Sequence, residues 1–176
     1  QMLENWVWNK TSLSLFATHY KTGEIIPDSL LNRMMKARNI QSGNNLLQQI
    51  FYGILDLTLH EGFDSSNVKS TTEIMSELQN SITNYDYIEG THQQASFDHL
   101  LDYGASYYGY LWSEVFAADM YSVFEKEGVL NQEVGLWFRK TILEKGGTEN
   151  PMNLVRAFLR RDPNNEAFLK SQEISE

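Results

Sequence analysis

Apolar residues along the chain recur at helical rather than strand spacing. Ser14-Leu15-Phe16-Ala17-Thr18-His19-Tyr20 leads into a polar turn, Lys21-Thr22-Gly23-Glu24. Leu30, Leu31, Met34, Met35 and Ala37 then predict a helix over about 28–41, with Pro27 where a helix start tolerates it and Arg38 in the last turn, where positive charge is favoured. Leu46, Leu47, Ile50, Phe51, Ile54, Leu55, Leu57 and Leu59 are apolar on nearly every side, which predicts a longer, central helix. Ser70-Thr71-Thr72-Glu73 has the spacing of a capping box ahead of the stripe Ile74, Met75, Leu78, Ile82. Between Asn84 and Tyr107 the periodicity lapses into a tyrosine-bearing loop. Tyr108 to Glu127 reads as a long helix with Val115, Phe116, Met120, Val123 and Phe124 buried and Gly128 as its left-handed stop. Three shorter helices follow, over about 132–145 (ended by Gly146-Gly147), 151–160 (opened by Asn150-Pro151) and 164–172 (opened by Asn164). The fold class is therefore all-α, with at most a short edge strand near 85–88 at Tyr85-Asp86-Tyr87-Ile88.

Composition narrows the partners rather than the fold. The 176 residues suit one domain, and 41% hydrophobic and 12% aromatic content with only 3 Pro reads as globular and helix-permissive. With 14 Lys+Arg against 23 Asp+Glu the net charge is −9, so nucleic acid and an anionic membrane are excluded as partners; no run of 18 apolar residues encodes a membrane span. Zero Cys removes disulfides, thiolate catalysis and Cys-ligated zinc, which suits a reducing compartment. Gln1 to Trp8 has no initiator Met, basic leader or cleavage site and is already helical in pattern. It reads as the interior of a longer protein, or else as an ordinary domain boundary.

Four histidines, His19, His60, His92 and His99, set the inventory for acid–base or metal chemistry. His60-Glu61 begins the zincin spacing, in which two His at i and i+4 chelate zinc around a Glu general base. Gly62-Phe63-Asp64 ends it, with Asp where the second His belongs and a helix-breaking Gly. His60 is then the polar end of an apolar helix, and His19 a neighbour of the polar turn. The anomaly is the tyrosine density of the segment from Gly90 to Glu114. Tyr103, Tyr107 and Tyr110 lie four and three apart, so a helix starting near Tyr103 would put all three hydroxyls on one face. Such a row can donate hydrogen bonds to a carbonyl or to the oxyanion formed when it is attacked. The same row can equally be an aromatic stripe packed into the core with its hydroxyls reaching water, and composition alone favours that reading. Gly109 fits both.

Ordered motifs add a resemblance to these readings. Gln1-Met2-Leu3-Glu4-Asn5-Trp6, His19-Tyr20-Lys21-Thr22-Gly23-Glu24, Pro27-Asp28, the tyrosine-rich block with Trp112-Ser113-Glu114-Val115, Gly146-Gly147-Thr148-Glu149-Asn150-Pro151-Met152, Phe158-Leu159-Arg160-Arg161-Asp162-Pro163 and Ala167-Phe168-Leu169 follow one another. In this order they resemble the C-terminal part of the thimet-type oligopeptidases, a family of zinc metallopeptidases with the mitochondrial intermediate peptidases as a more distant branch. The resemblance covers nearly the whole chain. It implies a mostly helical, two-lobed endopeptidase whose channel admits short peptides, in the cytoplasm or, second, the mitochondrion. In the family the His-Glu-x-x-His helix and the third zinc ligand come shortly before the Gln-Met-Leu-Glu-Asn-Trp motif. Residues 1–176 are thus expected to be the C-terminal part of the catalytic domain, starting after the zinc-binding motif. The Zn2+ of the full-length enzyme would have no ligand in this chain, which alone would be inactive.

By motif position the resemblance implies that Tyr110 and Tyr103 stabilise the transition state at the scissile carbonyl, and that His99 and Tyr107 bind substrate. The partners it implies are short peptides and the remainder of the peptidase. The chain departs from the thimet pattern at Phe97-Asp98-His99-Leu100-Leu101-Asp102, one residue shorter before the tyrosine and without the family's Gly-Gly pair, a spacing like that of the mitochondrial branch. Asp98 and Asp102 would favour basic peptides. A different class of function stays open, a metal-free helical remnant that binds peptides or a partner without hydrolysis.

Overall fold

The computed structural model describes residues 1–61 and 69–174, so the Gly62-Phe63-Asp64 break lies outside the described residues. A 3-10 segment, Met2–Trp8, precedes α1 (Lys10–Leu13), α2 (Asp28–Ala37), α3 (Ser42–His60) and α4 (Thr71–Ile82). After a 3-10 turn at Gln93–Ser96 come α5 (His99–Asp102), α6 (Tyr108–Glu127), α7 (Gln132–Phe138), α8 (Pro151–Leu159) and α9 (Glu166–Ser171). The described residues form no strand, only one isolated antiparallel bridge, Thr18 to Ile25. Residues 85–88, the candidate edge, are tied locally instead. Asn80 Oδ1 accepts the Tyr87 amide at 2.7 Å, and the Gln79 side chain donates to the carbonyls of Tyr85 and Asp86. Among the described residues no second backbone pairs with them to make a ladder.

The chain divides into two compact units, residues 1–40 with 113–176 and residues 41–112. In the first, Met2, Ala117, Met120, Tyr121, Phe124, Phe138, Val155, Phe158 and Leu159 form the core. Trp6 lies edge-on to Tyr121 and Phe124, each at 4.8 Å, and its indole N–H donates to the Val129 carbonyl at 2.7 Å. The buried Asp119 carboxylate accepts from the Arg161 guanidinium and from the Asn164 amide, fixing the turn before α9 to α6. Gly128 stops α6 at φ 106°, the left-handed conformation that a glycine takes without steric cost. Beyond α7 the predicted helix continues as a π segment, Arg139–Leu143, and Asn150 caps α8 by accepting from the Met152 amide.

The second unit is built on α3 packed against α4, with Phe51, Leu55 and Met75 buried and Tyr52, Leu59, Ile74, Leu78 and Ile82 around them. α3 starts earlier than its apolar run, at Ser42, because Gln41 adopts the left-handed conformation (φ 62°) that ends the turn after α2. At the start of α4 both bonds of the capping box form. The Ser70 amide donates to Glu73 Oε2 at 2.7 Å and holds that carboxyl below the usual carboxylate range.

Candidate functional site

The tyrosine row does not lie on one helix. Tyr103 closes the short α5, its amide donating to the His99 carbonyl at 3.0 Å, and α6 begins only at Tyr108. What replaces the expected helical start is a loop shaped by a residue of α3. Asp56, fully buried, accepts the amides of Ala105 on Oδ1 at 2.9 Å and of Ser106 and Tyr107 on Oδ2 at 2.8 Å each. The chain turns around this carboxylate with Ala105 at φ 58°, a left-handed conformation that costs a non-glycine residue about 1–2 kcal/mol. His60 completes the shell. Its Nδ1 lies 3.1 Å from Asp56 Oδ1 and 2.7 Å from the Asp56 carbonyl. Its ring faces Gly104, where a Cβ would lie 2.8 Å from Cδ2 and 2.9 Å from Cε1 and closer still to Nε2.

This loop gathers all four residues singled out from the sequence. The His99 ring stacks on Tyr103 (centroids 5.3 Å apart, 26° between planes) and meets Tyr107 edge-on at 4.9 Å, with Tyr110 at 5.7 Å. Phe97 stacks on its other neighbour side at 5.9 Å, and Tyr107 and Tyr110 lie 5.3 Å apart. Offset and edge-on pairs of this kind are favourable beyond the area they bury. Tyr103 is 65% and Tyr110 54% exposed, so their phenols reach solvent from a packed base. Tyr107 is half-buried and donates its hydroxyl to Gln49 Oε1 at 3.0 Å. Burial raises its phenol above the ordinary value of 10.0, and Tyr52 and Tyr110 add to that, so it stays protonated through neutral pH. His99 Nε2 is buried without a hydrogen-bond partner, a desolvated ring nitrogen at the centre of the cluster.

Chemically, the arrangement sets two exposed tyrosines beside an aromatic wall. Among the described residues no group of three or more His, Asp or Glu could hold an ion, and the residues present do not fit the zinc that the family resemblance implies. His92 pairs with Thr72 at 3.2 Å, and His19 Nδ1 accepts the Thr22 amide at 3.2 Å within its turn. A cavity of about 520 Å³ in the first unit is lined by charges of both signs, among them Glu4, Arg38, Glu114, Glu125 and Lys170; burial raises the Glu114 carboxyl above its ordinary value.

The sequence reading missed Asp56, Gln49 and the role of His60. The available signal was a lone Asp inside the apolar run Ile54-Leu55-Asp56-Leu57, four residues before His60 on the same helix face.

Residues 1–174 match the model of Peptidase family M3. The chain is 36% identical to Oligopeptidase A of Haemophilus influenzae over 99% of its own length and 26% of that protein's. It is 38% identical to Saccharolysin of Saccharomyces cerevisiae, covering 97% of the chain and 24% of the relative. With Mitochondrial intermediate peptidase of Arabidopsis thaliana it shares 33% identity over 88% of the chain and 22% of the relative. The chain thus spans about a quarter of the length of the curated relatives it matches. A family model covering nearly every residue, on a helical chain whose ordered motifs pointed the same way, establishes that it belongs to Peptidase family M3.

Proposed function

We propose that this chain forms part of the substrate channel of a zinc metalloendopeptidase that hydrolyses short peptides, with the zinc ligands elsewhere in the protein. The observation that carries the reading is the cluster itself: two exposed phenols, Tyr103 and Tyr110, held against His99. A phenol donates a hydrogen bond to the scissile carbonyl oxygen, and the bond strengthens as that oxygen gains charge, which lowers the barrier rather than merely tightening binding. Tyr107, its own proton engaged by Gln49, offers substrate an acceptor oxygen and an aromatic edge. His99 orients the three phenols through its ring and lies beside the peptide. Asp98 and Asp102, flanking the cluster in sequence, favour basic peptides. The relatives' names support peptide hydrolysis and span compartments, one being a probable cytosolic and another a mitochondrial peptidase.

Zinc titrated into the isolated chain with a short fluorogenic peptide tests the division of labour. The expected outcome is no stoichiometric binding and no cleavage. Cleavage dependent on a bound equivalent of zinc would contradict it.

A further inference from the structure

We infer that Asp56 is a positioning residue for the tyrosine cluster: from a neighbouring helix it folds the loop 103–107 into the one conformation that brings Tyr103 and Tyr107 onto His99. The inference rests on the functional reading of those tyrosines. Three features of the geometry support it.

The carboxylate is saturated. An ionised carboxylate has about four lone-pair sites. Here Oδ1 takes the Ala105 amide and faces His60 Nδ1, while Oδ2 takes the amides of Ser106 and Tyr107. Bonds from N–H groups to a carboxylate are roughly twice as strong as neutral ones, and Asp56 is fully buried, so no water competes for it. Next, among the described residues no other side chain accepts these loop amides, and beyond the face of Gly104 against the His60 ring, Gly104, Ala105 and Ser106 are exposed. The left-handed Ala105 would relax to an ordinary conformation if its partner were lost. Finally, the anchor stands at the N-terminal end of α6, where negative charge is favoured, so loop and helix start are set by one group. Tyr107 and Tyr110 follow from the helix start, and Tyr103 from the loop.

Asp56→Asn keeps the shape and loses the charge. Its amide nitrogen would confront N–H donors at one oxygen position, so at least one of the three bonds breaks. In the complete peptidase this variant should lower kcat by about 100-fold, the scale of a misplacement near 1 Å, with KM within about threefold of wild type. In a Tyr103→Phe background the same change should cost less kcat than in wild type, because one of the phenols it positions is already gone. An equal loss in both backgrounds, or an unchanged kcat, would overturn the inference. Amide hydrogen exchange of Ala105, Ser106 and Tyr107 reads the anchor without activity. These three amides should exchange at least about 100-fold more slowly than unstructured ones in the wild-type peptidase and lose that protection in Asp56→Asn. Unprotected amides in the wild type, or protection kept in the variant, would also overturn it. If Asp56→Asn does not fold, the wild-type exchange still decides. Should Tyr103→Phe alone leave kcat unchanged, the functional reading of Tyr103 fails while the exchange result separately decides whether Asp56 holds the loop.

Discussion

Gly104 faces the His60 ring so closely that a methyl group would collide with three of its atoms. The ring cannot swing aside, since Nδ1 is held at 2.7 Å by the Asp56 carbonyl. Gly104→Ala should therefore destabilise the fold by about 1–3 kcal/mol in urea unfolding, the usual range for overpacking. Combined with His60→Ala, the added cost of the methyl group should nearly disappear. A full cost in both backgrounds would show that the strain lies elsewhere. Gly104 stands 48 residues after Asp56 and 44 after His60, so local spacing could reveal only that a charged residue stood inside an apolar run. The four cluster residues were legible through motif order, whereas composition alone favoured a packed aromatic stripe. Both aspects are present in the structure, with Tyr107 half-buried and Tyr103 and Tyr110 exposed.

Helices were legible where caps and stripes agreed. α6 runs from Tyr108 to Glu127 and stops at Gly128 as its periodicity predicts, and the capping box of α4 forms with both its bonds. Ser70→Ala removes the oxygen that accepts the Glu73 amide at 3.2 Å. It should cost about 1 kcal/mol, seen as a lower Tm with the peptidase cluster unchanged, while Ser70→Thr, which keeps an accepting oxygen, should cost less. Equal Tm values for wild type and Ser70→Ala would show that the cap is not formed. Helical spacing misled at Tyr103, because a buried carboxylate on α3 outcompetes the continuation of α6 backwards through the loop. It was silent at Arg139–Leu143, where the helix expected over about 132–145 becomes a π segment whose Ile142 packs against the core of the first unit.

At the scale of the molecule, the role proposed for these residues is a share in peptide hydrolysis through the exposed Tyr103 and Tyr110. The family membership supports the peptidase class of chemistry, and the part proposed for these residues rests on the cluster. The most direct test is the steady-state kinetics of Tyr110→Phe in the complete peptidase with a short peptide. The change removes one hydroxyl and leaves the ring that packs on His99 and Tyr107. The account predicts a fall in kcat on the order of 100-fold or more with KM nearly unchanged, the signature of a bond made in the transition state. A raised KM with kcat intact would contradict it and leave Tyr110 as a residue that merely holds the substrate.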